Sequence, residues 1–250
     1  MEAPRSPFYR SYLADAGLSS FQVKWKETDL WVAVDRGNYR PSLPKELKKL
    51  IAQWREELER FGEEHPEFFY ALEPLPLPRG APPLAVSMAE AAYAANVGPM
   101  AAVAGVFAQK AGEQLLEMGA KEAVVENGGD IYMQVGNLKR VGIYAGSSPL
   151  SGKIGLEVDP EKTPVGICTS SGTIGHAFSR GNADAVLVLS PSPPLADAAA
   201  TALGNRVEGE EGLQEVVAEA GKIKGVSGAL IICRDKMAVW GDFKLCALNF

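Results

Sequence analysis

Apolar positions along residues 45–61 fall at Leu47, Leu50, Ile51, Trp54, Leu58 and Phe61. That spacing lays one stripe along a helix, with Lys, Arg and Glu covering the other face. Ahead of it, residues 21–26 and 30–35 alternate in part and are joined by Glu27, Thr28 and Asp29, which predicts a hairpin. Pro41 and Pro44 separate the two. Residues 73–83 then hold five prolines, Pro74, Pro76, Pro78, Pro82 and Pro83. This stretch is expected to be an extended strap crossing one domain that spans 1–250, because neither side alone has a complete set of layers.

Beyond the strap, residues 87–96 and 100–118 are expected to be helical, with Gly98 and Pro99 between them. Residues 100–105 carry little side-chain bulk. They permit either tight helix packing or the approach of another backbone or a flat ligand. Short apolar runs at 122–126, 131–135, 141–144, 154–158, 165–169 and 183–189 predict strands. Residues 195–203 and 212–220 predict helices, and 229–233, 237–240 and 244–248 predict closing strands. The pattern is that of an α+β fold with mainly antiparallel strands and packed helices.

Composition narrows the function. With 250 residues, 46% of them hydrophobic, the chain can bury a sizeable core without staples. The net charge is −6 and no Lys/Arg-rich block occurs, so the electrostatic footprint of a nucleic-acid binder is missing. Three cysteines (Cys168, Cys233, Cys246) without CxxC spacing argue against a zinc site or a disulfide framework. Only His65 and His176 are available, too few for a histidine-based metal cluster. No apolar leader opens the chain, and its longest apolar run is too short to span a bilayer, so a cytoplasmic protein without membrane contact is expected. Residues 100–105 and 244–248 also offer surfaces for a homo-oligomer.

Three constellations carry candidate chemistry. In the first, Glu126-Asn127-Gly128-Gly129-Asp130-Ile131 lies between two strands. Its glycines free the backbone, Asn127 both donates and accepts, and Asp130 supplies a carboxylate; the same residues also make a good turn on their own. In the second, Cys168-Thr169-Ser170-Ser171-Gly172-Thr173 ends an apolar strand, and its hydroxyls and backbone N–H groups suit a phosphate or a ring edge. His176 follows, as a general acid/base, a phosphate contact or a structural residue. In the third, Asp197 and Thr201 stand one turn apart on a helix face that Ala198, Ala199 and Ala200 leave open. A carboxylate and a hydroxyl so placed suit Mg²⁺; Asp197 also suits a first helical turn electrostatically, and Thr201 can bond the preceding turn.

In order along the chain, Gly129-Asp130-Ile131, Thr169-Ser170-Ser171-Gly172 and Ala196-Asp197-Ala198-Ala199-Ala200-Thr201-Ala202 resemble the motifs of the ApbE-like superfamily of FAD:protein FMN transferases. The run from Gly166 to His176 is similar to the UPF0280 branch. The resemblance implies an ApbE-like layered fold, a flavin nucleotide such as FAD as ligand, Mg²⁺ as cofactor and a protein acceptor of FMN. It implies that Asp197 and Thr201 hold the metal, with Asp197 catalytic; His176, read from its position after the second constellation, is the other candidate catalytic residue. It implies that Asn127, Gly128, Gly129, Asp130, Thr169, Ser170, Ser171, Gly172 and Thr173 line the nucleotide. The Met-Gly-Thr and His-x-x-Asp-Pro elements of the transferases are absent from this sequence. The alternative is therefore a ligand-binding or accessory protein of the same fold, in the sulfur-assimilation context associated with some UPF0280 relatives.

Overall fold

The computed structural model of the chain describes residues 17–171 and 181–248. Its N-terminal hairpin joins β1 (Leu18–Trp25) to β2 (Thr28–Asp35), in register from Leu18 opposite Asp35 to Trp25 opposite Thr28. The turn is tighter than the sequence predicts. Lys26 takes a positive φ of 50° and Thr28 already belongs to the second strand. Helix α1 (Leu43–Glu64) buries Leu43, Leu47, Ile51, Leu58 and Phe61, as the periodicity requires. A short helix α2 (Glu67–Tyr70) follows, one turn that periodicity cannot register. It is anchored by Phe68, whose ring packs edge-on against Phe61 at 5.2 Å.

Residues 71–82 contain neither helix nor strand, and Leu75 and Leu77 pack inward from them. Helix α3 (Pro83–Ala95) begins earlier than expected, because its opening proline is compatible with a first helical position. It ends on Asn96 in the left-handed conformation. The predicted helix at 100–118 is divided: Pro99–Ala102 forms a 3₁₀ turn and α4 runs from Val103 to Glu117.

Strands β3 (Ala123–Asn127), β4 (Asp130–Gln134), β7 (Val165–Ser170), β8 (Ala185–Ser190), β9 (Gly228–Cys233) and β10 (Lys236–Gly241) join the hairpin in one sheet. The order is β1-β2-β3-β4-β7-β8-β9-β10 and every neighbouring pair is antiparallel. Strands β5 (Lys139–Gly142), β6 (Ile154–Val158) and β11 (Lys244–Ala247) form a second, smaller sheet in the order β11-β6-β5. Helices α5 (Pro193–Gly204) and α6 (Leu213–Ala218) complete the chain's regular helices among the described residues. None of these helices is long and apolar enough to cross a membrane by itself.

Alternation along the strands separates two cores. Val124, Ile131, Met133, Ile167 and Leu187 face the small sheet, where Val141, Leu156 and Val158 meet them. Val125 and Tyr132 face the helices with Leu47, Ile51 and Leu115. Farther along the sheet, Cys168, Val186 and Val188 face the helices with Ala198, Ala199 and Leu203. The result is three layers: helices, the large antiparallel sheet, and the small sheet.

Close approach of α4 and α5 depends on Gly105. A Cβ there would stand 2.5 Å from the Pro193 carbonyl oxygen and 2.9 Å from the Asp197 Cβ. We expect Gly105→Ala to cost about 1–3 kcal/mol through overpacking. Denaturant titration checks this, with a lower midpoint at unchanged slope as the expected result.

Candidate functional site

The first constellation forms a two-residue hairpin turn. Asn127 pairs with Asp130, and Gly128 and Gly129 between them adopt φ of 66° and 109°. Positive φ at both central positions suits the twist of a tight antiparallel hairpin and favours glycine at each. The turn fixes where the flanking side chains go. Asn127 and Asp130 lie on the helix face of the sheet, whereas Glu126 and Ile131 lie on the other. Glu126 is fully buried, and one of its carboxylate oxygens accepts the Gly129 N–H at 2.8 Å.

Strand β7 divides in the same way. Cys168 and Ser170 sit opposite Val188 and Val186 and face the helices, while Thr169, opposite Leu187, faces away. The second constellation is therefore split between the two faces. Ser170 is on the same face as Asn127 and Asp130; Thr169 contributes to that side through its backbone N–H, which donates to the Asp130 carboxylate. Ser171 follows the end of the strand. Gly172, Thr173 and His176 lie outside the described residues.

Helix α5 begins at Pro193 and Pro194, whose fixed φ suits the first helical turn. Ala198, Ala199 and Ala200 are fully buried, so the alanine run lets the helix pack closely between the sheet and α3 and α4 rather than leaving a bare face. Asp197 and Thr201 are both half-buried, one turn apart. One Asp197 carboxylate oxygen accepts the Gly105 N–H at 2.8 Å, and the carboxylate also accepts the Ala104 N–H. These are amides of the first turn of α4, a helix whose own N-cap, Ala102, has no side-chain cap bond. Asp197 thus caps a neighbouring helix, satisfying donors that helix geometry leaves open. Asn127 Nδ2 donates to the Ala104 carbonyl at 3.1 Å, tying the hairpin to the same turn.

Three elements distant in sequence therefore meet at the first turn of α4. Asp130 is only 6% exposed, and its Oδ1 is buried without a hydrogen-bond partner among the described residues. The Cys168 thiol is within bonding reach of the Asp130 carboxyl and lies 3.3 Å from the Pro193 carbonyl, and its single proton can serve only one of them. Burial, reinforced by the Glu126 charge, pushes the Asp130 carboxyl up to about 7, against the opposing bonds from Cys168 and Thr169. Burial, and then the Asp130 charge, pushes Asp197 well above the usual carboxylate range, against the Gly105 and Ala104 amides. Burial and the same two carboxylates push the Cys168 thiol up, which keeps it protonated.

The donor set is hard oxygen with no ion pair to Asp130 or Asp197 among the described residues, and it fits a cation that keeps waters and ligand oxygens as its other partners. No group of three or more His, Cys, Asp or Glu side chains among the described residues is arranged to hold a metal, so an all-protein cage is not built there. Sequence reasoning missed the burial of Glu126 and the role of the α4 amides. Glu126 was detectable in principle, since it continues the inward alternation of Val124 on an apolar strand. The α4 amides carry no side-chain signature.

The layered fold is that of the ApbE flavin transferases. The apo flavinyl transferase ApbE of Pseudomonas stutzeri superposes with a TM-score of 0.62 at 16% identity, covering 93% of this chain and 94% of that one. The ApbE protein of Thermotoga maritima gives a TM-score of 0.55 at 12% identity, covering 88% and 96%. A family model described as "AbpE bacteria" matches residues 10–238. A UPF0280 protein of Methanococcus maripaludis strain C6 is 41% identical over 215 residues, 84% of this chain and 85% of the relative. Another, of Methanocella arvoryzae, is 48% identical over 191 residues, 76% of this chain and 78% of the relative. The chain belongs to the UPF0280 family.

Two outcomes follow from this geometry. Asp197→Ala removes the cap from two α4 amides and should destabilise the fold by about 1–3 kcal/mol even in chelator, measured by urea unfolding. The second concerns pH. The Asp130 carboxyl is raised from 3.8 to about 7, so between those values the folded state holds a proton that the unfolded state has released. Its stabilising contribution is present in full below about pH 4 and is lost as pH rises through about 7. In chelator, Asp130→Asn should therefore gain on the wild type across that window, read as the difference between their thermal midpoints.

Proposed function

We propose that this protein binds a flavin nucleotide and, with Mg²⁺, transfers FMN from FAD to a hydroxyl of an acceptor protein. The observation that carries this reading is the convergence of Asn127 and Asp197 on the first turn of α4, with the Asp130 carboxyl close to Asp197, in a fold shared along most of the chain with flavin transferases. Asp197 would hold the cation with Thr201 one turn further on, its carboxylate oriented by the Gly105 and Ala104 amides. Bound Mg²⁺ would neutralise charge on the FAD pyrophosphate.

The chain's own groups then bind and orient. Asn127 has its amide N–H₂ engaged on the Ala104 carbonyl, which leaves its carbonyl oxygen pointing elsewhere for a ligand donor. Gly128 has open space where a Cβ would stand, room for a flat group against the turn. Gly129, Thr169, Ser170, Ser171, Gly172 and Thr173 complete the nucleotide lining in this reading. His176 would take the proton of the acceptor hydroxyl as its oxygen bonds to the FMN phosphorus and the phosphoanhydride bond to AMP breaks.

A second reading draws on the capping role of Asp197. A carboxylate already committed to holding α4 has a structural reason to be there. The chain would then be a ligand-binding or accessory protein without the transfer step. Incubation with FAD, Mg²⁺ and an acceptor protein separates the two. Transfer predicts AMP release and an acceptor heavier by FMN in mass spectrometry, with AMP release falling by roughly 100-fold or more in Asp197→Asn. FAD binding without AMP or adduct, unchanged in Asp197→Asn, would sink the transferase reading.

A further inference from the structure

We infer that Asp130 is a second carboxylate ligand of the divalent-cation site, acting with Asp197 beside the first turn of α4. The inference rests on the Mg²⁺-dependent flavin-nucleotide reading and adds a residue to it. Asp130 is buried at the first position of β4 with its side chain on the helix face, and its Oδ1 has no hydrogen-bond partner among the described residues. The Thr169 N–H serves its other oxygen, and the Cys168 thiol lies beside that carboxyl with its proton on the Pro193 carbonyl.

Asn127, the cross-strand partner of Asp130, bonds Ala104, while Asp197 bonds Ala104 and Gly105. Cys168 spans from the Asp130 carboxyl to Pro193 at the start of α5. Asp197 is thus held on the first turn of α4, and Asp130 is placed beside it through its cross-strand partner Asn127 and its neighbour Cys168. Neither makes an ion pair among the described residues, and Glu126 adds a further negative charge through the sheet.

A water molecule would satisfy Oδ1 but would leave the repulsion between the two carboxylates. A cation relieves both. Two carboxylates and a hydroxyl leave most coordination positions open, which suits a Mg²⁺-type ion completing its shell with water and phosphate oxygens rather than a caged Ca²⁺ or Zn²⁺. The competing occupant is a proton shared by the two carboxyls.

Mn²⁺ binding to the full chain, followed by electron paramagnetic resonance with and without FAD at about pH 8, distinguishes them. Asp130→Asn keeps the side-chain shape and still accepts the Thr169 N–H. It should weaken Mn²⁺ binding at least about tenfold, as should Asp197→Asn. Stabilisation of the wild type by Mg²⁺ in thermal melts should vanish in Asp130→Asn, whose midpoint in chelator should equal or exceed that of the wild type. Unchanged Mn²⁺ affinity in Asp130→Asn, with loss only in Asp197→Asn and Thr201→Val, would overturn the role of Asp130 and leave the Mg²⁺ reading standing. Absence of Mn²⁺ uptake by the wild type, with FAD present, would overturn both.

Discussion

Helix α4 begins without a cap of its own. The residues leading into it, Met100-Ala101-Ala102, offer no side-chain oxygen to its first amides, and Gly98 and Pro99 ahead of them only set the chain direction. A buried helix end must find partners, because desolvated N–H groups are costly to leave unmet. The chain finds them across the core. Asp197, from a helix about ninety residues later, binds two amides, and Asn127, from a hairpin, binds a carbonyl of the same turn. Gly105 and Gly166 make this possible by letting Pro193 at the start of α5 approach both α4 and β7 closely. One capping arrangement therefore sets the spacing of two helices and the sheet, and the same arrangement defines the candidate site.

This dual use explains why part of the site was legible from sequence and part was not. The Gly-Gly hairpin was readable because positive φ at two consecutive positions favours glycine, and alternation then assigns Asn127 and Asp130 to one face. The helix carrying Asp197 and Thr201 was readable from Pro193-Pro194 followed by alanines. The partner of Asp197 was not, since it is backbone and backbone has no residue code. Thr169 and Ser170 are adjacent in sequence but face opposite cores, a distinction that depends on register, which a six-residue apolar strand does not specify by itself.

The fold shows the same division. Long amphipathic α1 and the alternating strands were anticipated in kind, because periodicity is a local property. The extension of α3 back to Pro83, the 3₁₀ turn before α4 and the single turn of α2 depend on packing. Phe68 makes that point concretely: a residue in a four-residue helix is fully buried because Phe61 supplies a ring face one helix earlier. Assignment of β5, β6 and β11 to a separate sheet is likewise a tertiary fact, since it depends on which strands pair, which no single strand's pattern specifies.

Charge placement separates the site from the rest of the molecule. At the surface, carboxylates are held below their ordinary range by basic neighbours: Glu59 by Lys26 and Arg55, Glu210 by Arg234 and Lys236, Glu219 by Lys222 and Arg206. The chain has 25 Lys and Arg residues for such pairs, yet the two carboxylates around the first turn of α4 are left to backbone amides and a thiol. Fold stability alone would favour replacing Asp130 with a neutral group of the same shape, because its burial beside Asp197 and Glu126 works against ionisation. Asp197 has a structural reason to be present, as the α4 cap. Asp130 has none that an asparagine would not serve as well. Its buried oxygen, unpartnered among the described residues, is thus a feature that fold stability leaves unexplained and that a bound cation would explain.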